Sequence, residues 1–280
     1  MHTWHWSTWE GLPYLTCSLL QPWQHGFFTN QFWPRPPLEL AQILETSATA
    51  YRVKQVHGNI VLTPSEIANL ISQGGPEVDT EGEIPQAKAD GLVTEQPLQA
   101  VFVASADCTP VLIADRKTGQ VSAIHAGWRG TALKIVPQAI SRLIQQGSKI
   151  EDLLVAMGPA IAGEVYQVST QVAAEIGASV FSHPIDAEII NHLQSFPDSP
   201  LLSDPHPDRV RIDVRRVNAL QLEKLGIDAE QIAIAPHCTY QDPENFFSYR
   251  RNKLKRIQWS GIVSKGFASG NNYNDSLNTI

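Results

Sequence analysis

The chain has 280 residues, 42% of them hydrophobic. This is enough apolar material for a sizeable core that needs no disulfide or metal cross-links. Its formal net charge of −7 argues against a nucleic-acid partner, because phosphate binding needs a basic surface. The three cysteines, an odd number, indicate free thiols in a reducing compartment rather than a disulfide scaffold. Neither a signal-peptide pattern nor a membrane-length apolar stretch is found, so we expect a cytoplasmic protein without a membrane partner.

Short β-rich runs alternate with helical patterns along the chain. The patterns predict strands at 51–56, 100–106, 110–115, 120–126, 153–158, 210–213 and 231–236. They predict helices over 64–73, 131–146, 169–178, 186–195 and 213–225, the last beginning at the N-cap Asp213 and ending before Gly226. Because hairpins occur beside crossovers, we expect an α/β (α+β) fold in which mixed β-sheets are flanked by helices.

The loops between these elements do not resemble linkers between independent cores. We therefore expect one catalytic domain over 1–263. The segment 264–280 is rich in Gly, Ser and Asn and is expected to be a disordered tail. The Trp-rich segment 2–9 is compatible with a strand, a pocket lid or a partner surface.

Two strands near the middle of the chain carry a cysteine and a histidine that can meet. A hairpin register that pairs Ala114 with Gly119 would place Cys108 directly opposite His125, with Cβ atoms about 4.5–5.5 Å apart. Such a pair suits a shared metal or a thiol–imidazole contact. A one-residue slip would separate the two side chains, and Pro110 weakens the ladder beside Cys108.

A third candidate, His57, follows a β-like run and precedes a Gly-Asn turn. Its distance from Cys108 along the chain prevents any placement by local geometry, so the sequence pattern leaves open whether the three residues form one site. His237 and Cys238 form a competing pair, but adjacent residues on a strand face opposite sides. After His125 the chain passes through a Gly-rich turn into a helix, where backbone N–H groups and Arg129 can hold an anion.

At these residues the chain resembles the YfiH-like family, also described as the laccase-domain or polyphenol oxidase family, purine nucleoside phosphorylase and peptidoglycan-editing factor. The matching pieces run in family order: KQVHGN (54–59), ADGLVT (89–94), ADCTPVLIAD (106–115), AIHAGWRGT (123–131), GPAI with YQV (158–168), DVRRVNALQLEKLG (213–226), CT (238–239) and FFSYRR (246–251). The chain departs from relatives at Gly163-Glu164, Gln241 and Asn252-Lys253. These departures leave the proposed ligands alone but bear on the pocket rim and on substrate preference.

The resemblance implies a fold related to the catalytic domain of the toxin deamidase cytotoxic necrotizing factor. It also implies that His57, Cys108 and His125 converge as a metal centre. One sulfur and two imidazole ligands suit Zn²⁺ and leave one tetrahedral position open, which is the pattern of a catalytic site. Cu²⁺ would compete with zinc in vitro.

We assign further roles to residues of the matching pieces. Asp107 joins the three ligands as a catalytic residue, and Asp90 and Asp107 are both expected to orient a ligand histidine or to move protons. Gln55, Asp90, Arg129 and Arg250 are assigned to substrate binding, with Arg129 and the backbone near Gly127 and Gly130 as the main anion site.

The function that the resemblance implies is that of a zinc-dependent purine nucleoside enzyme. It would carry out phosphorolysis of adenosine, inosine, guanosine and methylthioadenosine, and deamination of adenosine. Its partners would be a nucleoside and phosphate, and the protein a monomer or weak homodimer. Copper-oxidase (laccase) activity is not expected, since the chain has nine histidines and no His-x-His pair.

Two alternatives stay open. In the first, Cys108 is a nucleophile activated by His125 and cleaves an amide in a peptidoglycan precursor. In the second, the chain is a non-catalytic zinc- or nucleoside-binding module, for which a fourth protein ligand such as His237 or Cys238 would be the sign.

Overall fold

The computed structural model describes residues 2–79 and 85–266. In these ranges the α-helices are Pro37–Leu44 (α1), Pro64–Gln73 (α2), Trp128–Ala132 (α3), Ile135–Gln145 (α4), Thr170–Gly177 (α5), Asp186–Gln194 (α6), Val214–Lys224 (α7) and Tyr249–Asn252 (α8). The strands are Trp4–Trp9 (β1), Leu12–Cys17 (β2), His25–Phe28 (β3), Thr49–Tyr51 (β4), Val61–Leu62 (β5), Val78–Asp79 (β6), Gln86–Ala87 (β7), Gly91–Val93 (β8), Gln99–Ser105 (β9), Thr109–Asp115 (β10), Val121–Ala126 (β11), Leu153–Met157 (β12), Gln167–Ser169 (β13), Leu201–Ser203 (β14), Arg209–Ile212 (β15), Ile232–Ile234 (β16) and Gln258–Val263 (β17).

Two six-stranded mixed sheets form the centre of the fold. The first has the strand order β1-β2-β3-β17-β9-β4, and the second has the order β16-β12-β10-β11-β8-β5. Apolar side chains of both sheets share one buried cluster, with Phe27 and Val103 from the first sheet and Leu112 and Ala123 from the second. The sheets therefore pack face to face, and burial of this apolar surface is the main stabilising contribution at the centre.

Helices cover the outer faces of the two sheets. Helix α1 packs Leu40 against Phe28 and Phe102 of the first sheet. Helices α4 and α7 pack on the second sheet, where Ile140 and Leu222 belong to the same buried cluster as its outward-facing residues. The result is a helix–sheet–sheet–helix stack. A small third sheet, β13-β15-β14, packs against α5 and α6.

This architecture confirms the expected fold of mixed sheets flanked by helices. Helix α2 spans the predicted residues and begins with a capping box, in which Thr63 and Glu66 each accept a hydrogen bond from the other's backbone N–H. Helix α7 begins after Asp213, whose carboxylate accepts the backbone N–H groups of Arg215 and Arg216. Gly226 follows with φ of +85°, as expected for a residue past a helix end.

The predicted helix over 131–146 is wrong as a single element. The chain instead forms α3 and α4, because Lys134 adopts a left-handed conformation with φ 60° and ψ 44° between them. The break lets the turn after His125 start its own short helix. The predicted strand at 51–56 is also too long, since β4 ends at Tyr51 and only Lys54 makes a further bridge, to Lys88.

A strand was one of three possibilities left open for the Trp-rich segment 2–9, and α1 had no predicted element. The Trp-rich segment is an edge strand, β1, paired along its length with β2. Helix α1 follows a proline-rich loop, and Pro37 stands at its first position, where a missing N–H costs nothing.

At the C-terminal end, the Ser264 hydroxyl donates a hydrogen bond to the carbonyl of Gln96. Residues 267–280 lie outside the described ranges, so the disordered tail and the single-domain boundary stay predictions. No helix in the described ranges has the length and apolarity needed to cross a membrane.

Candidate metal centre

The β10–β11 hairpin brings Cys108 and His125 together, but its strand register differs from the predicted one. The observed register pairs Ala114 with Val121 and Pro110 with His125, so the predicted pairing of Ala114 with Gly119 is wrong. The carboxylate of Asp115 accepts the N–H groups of Lys117 and Thr118 and holds a longer turn. Cys108 therefore precedes strand β10 and reaches His125 from a loop.

His57, Cys108 and His125 form one cluster in which the ligand atoms, two ring nitrogens and one sulfur, all lie within 4.8 Å of one another. The rings of His57 and His125 meet edge to face with centroids 4.9 Å apart. His57 lies in the loop after β4, Cys108 in the connection from β9 to β10, and His125 on β11. The three side chains thus meet where the chain passes between the two large sheets.

Asp90 organises two of the three ligands. Its Oδ1 lies 2.9 Å from His125 Nδ1 and accepts the N–H of His57, also at 2.9 Å. Its Oδ2 accepts the N–H groups of Val56 and Gly58 at 3.1 and 2.7 Å. The Asp90 carboxylate is fully buried, and these bonds hold His57 in its left-handed conformation with φ 61°. With Nδ1 of His125 directed at Asp90, its Nε2 is the nitrogen free to bind a metal.

Asp107 fixes the backbone directly before Cys108. Its Oδ1 accepts the Thr239 hydroxyl at 2.7 Å, and its Oδ2 accepts the backbone N–H of Arg250 at 2.6 Å. Its own carbonyl accepts the N–H of Ile161. Asp107 adopts φ 91°, a conformation that L-residues rarely hold without such bonds. The structure therefore places Asp107 beside the cluster with both oxygens engaged, and its predicted role in moving protons stays a prediction.

The electrostatics of the cluster favour an anionic sulfur. Burial raises the pKa of the Cys108 thiol, but the charge of His125 and hydrogen bonds from His125 and His57 outweigh burial and bring it to about 6. Burial lowers the pKa of His125, but Cys108 and Asp90 outweigh this effect and raise it to about 9. Burial likewise opposes ionisation of Asp90, and hydrogen bonds from His125 and Gly58 hold its pKa below the ordinary value. A thiolate is the form of cysteine that binds metals.

The Gly-rich turn after His125 approaches the cluster closely. A Cβ atom on Gly127 would lie 2.9 Å from Cys108 Sγ and 3.4 Å from a carbon of the His57 ring. A Cβ atom on Gly130 would lie 2.9 Å from the carbonyl oxygen of Gly58. Both glycines are therefore required by close packing around the ligands.

Among the predicted substrate-binding residues, the two arginines stack on aromatic rings, whereas Gln55 binds the protein backbone. Arg129 follows this turn, and its guanidinium carbon lies 4.4 Å from the centre of the Trp128 ring. Arg250 lies over the Tyr166 ring at 4.8 Å and donates from Nη1 to the carbonyl of Gln167. Gln55, by contrast, uses both ends of its carboxamide to bind the backbone of Ala104, at 2.8 and 2.7 Å.

Tyr166 lies near Cys108 and was not among the predicted site residues. Burial raises the pKa of its hydroxyl to about 12, with a further contribution from the negative charge of Cys108, while Arg250 and Arg129 act in the opposite direction. The hydroxyl therefore stays protonated and lies within electrostatic reach of both arginines. The only signal in the sequence was the YQV piece of the resemblance.

The competing pair lies outside the cluster. Within residues 2–79 and 85–266, the metal-binding group contains neither His237 nor Cys238. The ring of His237 contacts Trp6 and Phe246, and Cys238 Sγ accepts the N–H of Ala162. Neither residue supplies a fourth ligand to the three described above.

Two packed mixed sheets with a His-Cys-His centre at their crossovers define an α/β protein with a possible metal site. The chain belongs to the family described as multi-copper polyphenol oxidoreductase laccase, whose model matches residues 38–263.

Curated relatives carry names of nucleoside enzymes. A Synechocystis protein named purine nucleoside phosphorylase is 49% identical over 264 residues, which are 93% of this chain and 97% of the relative. A Bacteroides thetaiotaomicron protein with the same name is 31% identical over 63% of this chain and 59% of its own length. A prokaryotic protein named adenosine deaminase RL5 is 29% identical over 61% of this chain and 60% of its own length.

Solved structures share the fold. YlmD from Geobacillus stearothermophilus superposes with a TM-score of 0.71 at 20% identity and covers 93% of this chain and 98% of its own. The YfiH protein of Bacillus licheniformis gives a TM-score of 0.67 at 24% identity, over 90% of this chain and 96% of its own.

Proposed function

We propose that the protein is a purine nucleoside phosphorylase that also deaminates adenosine, with a zinc ion held by His57, Cys108 and His125. The observation that carries the proposal is the convergence of these three ligand atoms within 4.8 Å in a chain 49% identical to a protein named purine nucleoside phosphorylase. The likeness to that relative covers nearly the full length of both chains.

The donor set fits zinc. Two imidazole nitrogens and one thiolate are typical zinc ligands, and three protein ligands leave a position for water or substrate. Asp90 supplies the carboxylate that usually orients a ligand histidine, through its contact with His125 Nδ1. When bound, zinc would act as a Lewis acid and lower the pKa of water. Copper(II) would bind the same donors with higher affinity in vitro.

The remaining residues suit the binding of a nucleoside and phosphate. Arg129 presents a guanidinium group that hydrogen-bonds to no described residue, stacked on Trp128 beside the turn that holds Gly127. In phosphorolysis a phosphate oxygen forms a bond to the anomeric carbon while the glycosidic C–N bond breaks and its electron pair leaves with the base. Arg129 and the protonated Tyr166 hydroxyl would hold the phosphate during this step. Asp107, with both oxygens engaged, would position Cys108 and Arg250.

The test combines metal content with turnover. Protein purified without added metal is analysed for zinc and copper and assayed with adenosine and inosine, in phosphate buffer and in a buffer without phosphate. We expect about one zinc per chain, release of free base only with phosphate, and conversion of adenosine to inosine. Cys108→Ala should lose both metal and turnover, whereas Cys17→Ala, which removes a buried sulfur on β2, should keep them.

A cysteine amidase acting on peptidoglycan precursors is the second candidate, and the lowered pKa of Cys108 beside His125 favours it. Metal-free protein that ignores nucleosides but releases an amine from a peptidoglycan amide, and loses this activity in Cys108→Ala, would replace the first proposal by the second. Oxidation of phenols that depends on added copper, and is absent from the zinc form, would count as an artefact of metal substitution.

A further inference from the structure

A pocket of about 410 Å³ has Arg250 in its lining. Its lining includes Glu164, Gln167, Asp204, Arg211 and Arg250. Its volume falls within the range of small-molecule sites, and it is lined by several charged and amide groups.

Hydrogen bonds hold several side chains of the pocket lining in fixed positions. The Asp204 carboxylate is buried and accepts hydrogen bonds from Gln167 Nε2 at 2.9 Å and Arg211 Nε at 3.0 Å. The carbonyl of Gln167 in turn accepts Nη1 of Arg250 at 3.0 Å. These bonds fix the side chains before any ligand arrives, which lowers the entropic cost of binding.

The pocket is connected to the metal centre through one residue. Arg250 lines the pocket, and its backbone N–H donates to Asp107, the residue before Cys108. Arg250 therefore belongs both to the pocket and to the hydrogen bonds that hold the backbone before Cys108. A pocket connected in this way is suited to the second half of a substrate whose first half meets the metal centre.

Glu164 is a charged group in this pocket that is available to a ligand. It occupies the middle of a short 3₁₀ turn, Gly163–Val165, and hydrogen-bonds to no described residue. The turn is held in place, because a Cβ on Gly163 would come within 2.9 Å of the Asp213 side chain. Its position therefore depends on packing that a change of the Glu164 side chain leaves intact.

The charges indicate the class of ligand. Arg211 pairs with Asp204, and the remaining Glu164 and Arg250 carry opposite charges, so the lining is neutral overall. A phosphate ester would meet the Glu164 carboxylate and be repelled. A neutral sugar suits the pocket better, because a carboxylate accepts hydrogen bonds from adjacent hydroxyls, as acidic residues do with the ribose of dinucleotides.

We propose that this pocket binds the ribose of the nucleoside and that Glu164 accepts hydrogen bonds from its 2′- and 3′-hydroxyls. Glu164 thereby selects ribonucleosides over 2′-deoxyribonucleosides. This inference rests on the proposed function, since it names the part of the substrate that lies beside the metal centre.

The test compares inosine with 2′-deoxyinosine in phosphate buffer, for the wild type and Glu164→Ala. The wild type should prefer inosine in kcat/KM by about tenfold or more, the usual size of one hydrogen bond to a charged group. Glu164→Ala should lose that preference, because inosine loses two hydrogen bonds and 2′-deoxyinosine loses one, so KM rises more for inosine than for 2′-deoxyinosine while metal content stays unchanged. Glu151→Ala, at the middle of another exposed 3₁₀ turn, is the matched control and should keep the wild-type ratio.

An unchanged ratio of inosine to 2′-deoxyinosine in Glu164→Ala overturns the inference while leaving the proposed function intact. A wild type that turns over neither nucleoside contradicts the proposed function. The inference is then judged by calorimetric titration of the same two nucleosides, where equal or absent binding overturns it and a preference for inosine that Glu164→Ala removes supports it.

Discussion

Oδ1 of Asp90 lies 2.9 Å from Nδ1 of His125, and the same oxygen accepts the backbone N–H of His57. One buried carboxylate thus orients two of the three candidate ligands. The second oxygen binds the N–H groups on either side of His57.

Asp90→Asn should weaken metal binding. The amide group replaces an acceptor with a donor, so it faces N–H groups that it cannot satisfy, and removal of such an orienting carboxylate typically costs about 10–100-fold in metal affinity. Zinc affinity measured by competition with a chelator checks this. Asp198→Asn, in an exposed side chain, should bind zinc as the wild type does. Wild-type affinity in Asp90→Asn would show that the contact does not support the centre.

Gly127→Ala should disturb the centre while the fold persists. The added methyl group would lie 2.9 Å from Cys108 Sγ, closer than side-chain carbons normally approach, so the sulfur must move. We expect a loss of at least tenfold in zinc affinity, with an unchanged far-ultraviolet circular dichroism spectrum. Gly75→Ala, where a Cβ meets nothing within 4 Å, is the control.

The metal-free protein should contain an unusually reactive thiol. Because the pKa of Cys108 is lowered to about 6, its alkylation rate should rise with pH up to about 7 and then level off, as the thiolate becomes the main form above the pKa. His125→Gln removes the largest stabilising charge, so the midpoint should move up towards the ordinary value of about 8.5. The measurement is the rate of iodoacetamide labelling by mass spectrometry across pH. A midpoint near 8.5 in the wild type would contradict this electrostatic account, and zinc should protect the thiol.

Lys134→Gly should stabilise the fold. Lys134 holds φ 60° between α3 and α4, and a left-handed conformation costs a residue with a Cβ atom about 1 kcal/mol that glycine does not lose. Denaturant unfolding should give a free energy of unfolding higher by up to about 1 kcal/mol. Lys149→Gly, at a residue in extended backbone, should not stabilise. A decrease in Lys134→Gly would mean that contacts of the lysine outweigh its backbone strain.

The sequence pattern predicted the elements around the site better than their exact pairing. The strands of the hairpin were located because their apolar runs are continuous, but the register depended on the turn. The Asp115 side chain sets that turn, and periodicity alone does not reveal it. Helix α1 was missed because prolines at 34, 36 and 37 suggest a loop, although Pro37 suits a first helical position.

The convergence of the three ligands depended on the resemblance, since no local pattern relates His57 to Cys108. The same limit applies to Asp90. It was predicted as a carboxylate that could orient a ligand histidine, but only the fold shows that it reaches both His57 and His125. Long-range contacts of this kind depend on how the sheets cross over, which a single sequence does not encode in any short window.

The position of the three ligands at the crossovers gives a bound metal a mechanical role. One ligand follows a strand of the first sheet, one lies in the segment that runs from the first sheet to the second, and one belongs to the second sheet. A metal held there acts as a cross-link between the two halves of the core and resists their separation. A ligand that binds only the folded state stabilises it by an amount that grows with the logarithm of the ligand concentration. The melting temperature of the whole domain should therefore rise with zinc concentration and report how much zinc is bound.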